Sequence, residues 1–163
     1  MISPEIKDIL TKGLLSGYIN DTNVLTTERG AFLFSSSDYR GPEGNYHDEW
    51  IGKRSGGGQE IVQAGDKRYT RLYAGGTLDD ETLLQLGITR KQISEFRTEA
   101  IEKGLDQTRL ETVFNYESED RKWLYGYDIE SDEQEFNLMI GREQILYNEE
   151  IVFLHKFLLT PVE

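Results

Sequence analysis

Two periodicities alternate along the chain. Ile6, Ile9, Leu10 and Leu14 recur at helical spacing behind Ser3 as a capping residue and Pro4 at the first helical position, predicting an amphipathic helix that ends near Gly17. From Val24 to Phe34 the composition turns to Thr, Val, Leu and Phe around Glu28-Arg29-Gly30, so one or two short strands are expected, closed by Ser35-Ser36-Ser37-Asp38. Arg40 to Asn45 reads as a loop because it holds two glycines and a proline. Tyr46 to Ile51 reads as a strand with Tyr46, Asp48 and Trp50 on one face and His47, Glu49 and Ile51 on the other. Ser55 to Gly58 reads as a flexible connection, after which Gln59–Gln63 and Lys67–Tyr73 form a hairpin about Ala64-Gly65-Asp66, ended by Ala74-Gly75-Gly76.

The pattern then repeats. A short helical piece around Leu83, Leu84 and Leu86 stops at Gly87. Next comes a helix opened by a Thr89/Gln92 capping box, lined by Ile93, Phe96 and Ala100 and stopped at Gly104. Leu110–Tyr116, Trp123–Ile129, Phe136–Tyr147 and Ile151–Leu159 follow as four strands. Gly58-Gln59-Glu60-Ile61-Val62 echoes Gly141-Arg142-Glu143-Gln144-Ile145, and Trp50 is matched to Trp123. The predicted class is α+β: two diverged repeats, residues 1–76 and 77–163, each a helix followed by an antiparallel sheet of three to four strands, in one domain.

Composition narrows the chemistry. With 163 residues, 37% hydrophobic and 11% aromatic, the chain can bury a core without staples. It has no cysteine and two histidines, His47 and His155, so a structural zinc site is not expected and no metal or cofactor is assigned. Thirty acidic against eighteen basic residues give a net charge of -12, which repels a phosphate backbone, so direct binding of nucleic acid is not expected. The amino terminus lacks a signal-peptide pattern and no run approaches the roughly 20 apolar residues of a membrane span, so a cytoplasmic protein is expected.

The stretch from Glu43 to Gly76 carries Glu43-Gly44-Asn45-Tyr46, Trp50-Ile51-Gly52, Gly58-Gln59-Glu60-Ile61-Val62, Gly65 with Lys67, and Tyr73-Ala74-Gly75-Gly76. In these residues the chain resembles a bacterial domain family of unknown function, found alone and appended to helix-turn-helix regulators. That family carries a G-Q-E-V-V hairpin followed by Y-x-G-G. The resemblance implies a second helix and a second G-x-E hairpin, for which Gly141-Arg142-Glu143 is the match, and no particular activity. The family's second-unit turn and closing glycines are replaced here by Asn115-Tyr116-Glu117-Ser118 and Leu158-Leu159-Thr160.

Glu60 and Glu143 each follow a glycine by two residues at equivalent points of the repeats, so a pseudo-twofold axis would bring them together, where paired carboxylates share a proton or hold a hard cation. The competing reading is that each accepts backbone N–H bonds beside its glycine. With Tyr46, Trp50 and Tyr73 they form the candidate ligand-binding set. His47, Asp48 and Glu49 read as a solvated strand surface, and His155 as a packed, hydrogen-bonded histidine between Phe153 and Phe157. No nucleotide loop, nucleophile elbow or metalloprotease motif is present. The expected function is therefore a binding or interaction module for a small molecule or protein partner, as a monomer or homodimer. Two alternatives are a carboxylate enzyme using Glu60 and an acidic inhibitor of a basic or nucleic-acid-binding protein.

Overall fold

The computed structural model describes residues 2–19 and 24–163. Helix α1 (Pro4–Gly13) starts at Pro4 as the pattern requires, although the Ser3 side chain makes no capping bond. It runs on into a wider helical turn, Leu14–Ile19, past the predicted stop at Gly17. Strands β1 (Leu25–Arg29), β2 (Phe32–Gly41), β3 (Gly44–Gly52), β4 (Ser55–Ala64) and β5 (Lys67–Thr77) follow. Helices α2 (Asp80–Gln85) and α3 (Arg90–Gly104) lead to β6 (Phe114–Glu117), β7 (Trp123–Glu133), β8 (Leu138–Tyr147) and β9 (Glu150–Pro161). Both halves of the capping box at Thr89 and Gln92 are made.

All nine strands join one antiparallel sheet in the order β1-β2-β3-β4-β5-β9-β8-β7-β6. In place of a sheet of three to four strands for each half there is one larger sheet, because β5 pairs with β9 from Tyr69 opposite Pro161 to Thr77 opposite Phe153. Helix α1 packs on β2, β3 and β4, and α3 packs on β6 and β7, so a helix rests on each half of the sheet. Ile6, Ile9 and Leu10 of α1, Ile93, Phe96 and Ile101 of α3, and Tyr125, Tyr127, Ile145 and Phe157 of the sheet belong to one buried cluster.

Six local expectations are corrected. Ser35 to Asp38 continue β2, and Arg40-Gly41 ends it, so the loop there shrinks to the turn at Pro42-Glu43. Ser55 to Gly58 are strand, as are Ala74 to Gly76. The reason is steric: a Cβ on Gly58 would lie 2.4 Å from the Glu49 carbonyl oxygen and 2.5 Å from the Tyr73 hydroxyl, so this ladder closes only on a bare backbone. Leu110 to Val113 form no strand, and Phe136 lies in a short 3-10 turn (Gln134–Phe136) before β8.

Candidate functional site

Alternation along the strands assembles the site. On β3, Tyr46 and Asp48 are buried, whereas His47 turns to the opposite face and meets Asp38 at 2.5 Å. Asp48, expected in water, is only 7% exposed. It stands at the head of a cross-strand row running Asp48, Glu60 and Arg71 over β3, β4 and β5. A second row runs His155, Glu143 and Tyr127 over β9, β8 and β7.

Glu60 and Glu143 are brought into one cluster, by arginines rather than by a shared proton. Arg71 donates to Glu60 at 2.8 Å and to Glu143 at 3.2 Å. Arg109, in the segment after α3, donates to Glu60 at 2.9 Å and to Glu143 at 3.3 Å. Arg97 of α3 forks onto both oxygens of Glu143, at 2.9 Å each. Tyr46 donates to Glu60 at 2.9 Å and Tyr125 to Glu143 at 3.0 Å. These side-chain donors, and not a neighbouring backbone amide, satisfy the two carboxylates.

The electrostatics follow from this geometry. Burial drives both glutamates upward, but for Glu60 the charges of Arg109 and Arg71 outweigh it and hold the carboxyl below its ordinary value. For Glu143 the charges of Arg109, Arg97 and Arg71 hold it well below. Asp48 receives less help: burial and the adjacent Glu60 charge push it up to about 7, against the Tyr73 hydrogen bond (2.9 Å) and the more distant Arg109 and Arg71. His155 is pushed down to about 3 by burial and by the charge of Arg97, so it is a neutral imidazole at physiological pH. It is packed, as expected, against Tyr73 (5.2 Å between ring centroids) and Phe153 (4.5 Å), but its Nδ1 makes no hydrogen bond.

Above the cluster, between the sheet and α3, opens a cavity of about 460 Å³. Its walls include Asp48, Trp50, Glu60, Arg71 and Tyr73 from the sheet, His155 and Phe153 from β9, and Arg90, Ser94, Arg97 and Thr98 from α3. The α3 residues fall at i, i+4, i+7 and i+8, one polar stripe facing the cavity. Gly56 and Gly75, opposite one another on β4 and β5, leave part of its floor without side chains. Among the described residues that line it, six are basic (Lys53, Arg54, Arg71, Arg90, Arg97, Arg109) and two acidic (Asp48, Glu60), in a chain of net charge -12.

Of the five predicted site residues, Trp50, Glu60 and Tyr73 line the cavity. Glu143 is completely buried beneath it, and Tyr46 supports Glu60 from the core side. Sequence reasoning missed the arginines and Asp48. Arg71 could have been found by alternation with Tyr69 and Tyr73, and Arg97 by its helical spacing from Arg90 and Ser94; no pattern marks Arg109. Among the described residues no cluster of His, Asp or Glu could hold a metal ion, and no helix is long and apolar enough to cross a membrane. No protein-family model, curated protein or solved structure matches the chain.

Proposed function

We propose that the chain is a small-molecule-binding module whose ligand enters the cavity between the sheet and α3. The observation that carries this reading is a cavity of ligand size, about 460 Å³, backed by a fixed network of buried charges. Such a network is expensive to bury: each ion loses several kcal/mol of hydration, and a well-packed apolar core would serve stability as well. Its place beneath a concavity gives it another use, because buried donors tied to several charged partners hold a binding wall rigid before the ligand arrives.

The reading includes an internal duplication of residues 1–76 and 77–163. In its support, Tyr46 stands opposite Val62 and bonds to Glu60 two residues before it, while Tyr125 stands opposite Ile145 and bonds to Glu143 two residues before it. Arg71 opposite Glu60 then corresponds to His155 opposite Glu143. Trp50 and Trp123 do not correspond in this register, since one lies four residues after its tyrosine and the other two before. The resemblance to the bacterial family of unknown function is kept as part of the proposal and adds no activity to it.

An enzyme is the second reading, favoured by one observation: Asp48 borders the cavity and is pushed up to about 7, the range in which a carboxyl exchanges protons at neutral pH. Glu60 is poorly suited to that task because both its oxygens are committed to Tyr46, Arg71 and Arg109.

A thermal-shift screen of small metabolites against the wild type and Ser94→Trp tests the binding reading. Ser94 is an exposed residue of α3 at the cavity wall, so tryptophan there obstructs the space and leaves the buried network intact. Compounds that raise the melting temperature of the wild type and not of the variant support it. Equal shifts in both proteins, or none across the library, count against it.

A further inference from the structure

We propose that the ligand is an organic anion with an aromatic body, bound body first, and that Lys53 and Arg54 at the mouth of the cavity select it by receiving its charged group. The inference rests on the binding reading above and names the chemical class of its ligand.

Burial gives the cavity an axis. At its inner end Ile93, Phe153 and the neutral His155 are buried, and Tyr73 and Trp50, partly buried, continue this apolar and aromatic wall. The charged side chains around that end, Asp48, Glu60, Arg71, Arg97 and Arg109, are already bonded to protein partners. At the outer end Arg90 is held by Asp80, at 2.7 and 3.1 Å. Lys53 and Arg54 differ. They are the whole two-residue connection between β3 and β4, they are exposed, and among the described residues neither pairs with a carboxylate. In a chain of net charge -12, two cations without an acidic partner thus stand at the rim of the cavity.

Arg54 is positioned by more than its place in the chain. Its carbonyl accepts from the Thr77 N–H at 3.0 Å, and its Nη1 donates to the Thr77 carbonyl at 3.1 Å, so backbone and side chain are both tied to the end of β5. A Cβ on Gly76 would collide with the Arg54 carbonyl oxygen, so the turn lies this close to β5 only over a bare backbone. The tether engages one nitrogen of the guanidinium, and the rest of the fork is left for an oxyanion, with the Lys53 ammonium next to it. A ligand that enters with its ring against Trp50, Tyr73 and Phe153 buries apolar surface at the inner end. Its charged group then stays at the solvated rim, where it is spared the cost of full desolvation.

The test uses isothermal titration calorimetry of the whole chain with 1-naphthoate, 1-naphthyl phosphate and the neutral 1-naphthamide. At least one of the two anions is expected to bind about tenfold or more tightly than the amide, and to weaken as salt is raised. The double variant Lys53→Glu/Arg54→Glu should lose that preference and still bind the amide. Lys67→Glu/Lys91→Glu, which reverses the same number of charges at exposed positions outside the cavity, should keep it, and circular dichroism checks that both variants are folded. Equal binding of anions and amide in the wild type, abolished by Ser94→Trp, overturns this inference and leaves the cavity reading standing. An anion preference that survives in Lys53→Glu/Arg54→Glu, or that falls as much in Lys67→Glu/Lys91→Glu, overturns it too. Saturable binding of none of the three at millimolar concentration sinks both.

Discussion

Glu143→Gln is the perturbation that measures how much the buried network contributes. Glu143 is fully buried and accepts five hydrogen bonds: one from Arg71, two from Arg97, one from Arg109 and one from Tyr125. Glutamine conserves the shape but replaces one acceptor oxygen by a donor. If the amide nitrogen takes the Oε2 position it faces donors of Arg71 and Arg97; at Oε1 it faces Arg97, Arg109 and Tyr125. Either orientation leaves at least two donor-to-donor contacts and removes a carboxylate charge from beside Arg71, Arg97 and Arg109. Removing one partner of such a buried set costs about 3–5 kcal/mol. For a chain of this length that corresponds to a fall in melting temperature of about 6–20 °C. Urea denaturation with linear extrapolation measures it, with Glu95→Gln, which breaks the exposed Lys91–Glu95 pair, as a control expected to change nothing resolvable. A loss below about 1 kcal/mol for Glu143→Gln would refute the claim that these charges are dry and mutually dependent.

Three further outcomes are expected. Asp48 has a folded pKa raised above its unfolded value, so the unfolded chain releases this proton first and the group lowers stability as pH rises from about 4 to about 7; urea titrations of Asp48→Asn should lack that descending component. His155, with its folded pKa depressed to about 3, should show a neutral imidazole by NMR at pH 5; a protonated ring there would mean that the wall is wet. Thr89→Ala removes the side-chain acceptor of the Gln92 N–H at the start of α3 and should cost about 1 kcal/mol by denaturant melts, with the sheet unchanged.

Elements governed by local chemistry were legible from the residues. Pro4 and the capping box at Thr89 mark helix starts because each satisfies or removes an orphan backbone donor, and the period-two pattern of β3 assigns Tyr46 and Asp48 to one face. Glycine misled the reading where its role is decided across strands. Gly58 is bare because Glu49 and Tyr73 approach it, and neither is a sequence neighbour. The same limit hid the charges. Asp48 and Arg71 look like solvated residues of an acidic chain until the ladder sets them on either side of Glu60. Arg109 enters from a segment that sequence periodicity assigned to the approach of a strand, and it closes the bridge between two glutamates 34 and 49 residues away. The pairing of Glu60 with Glu143 was anticipated from equivalent glycines, whereas the cations between them required the fold.

The most direct test is a crystal structure of the protein. It is expected to show Arg71 and Arg109 each bridging Glu60 and Glu143 beneath an open cavity between the sheet and α3. The two glutamates held apart in a solvated cleft, or side chains filling the space above them, would contradict it.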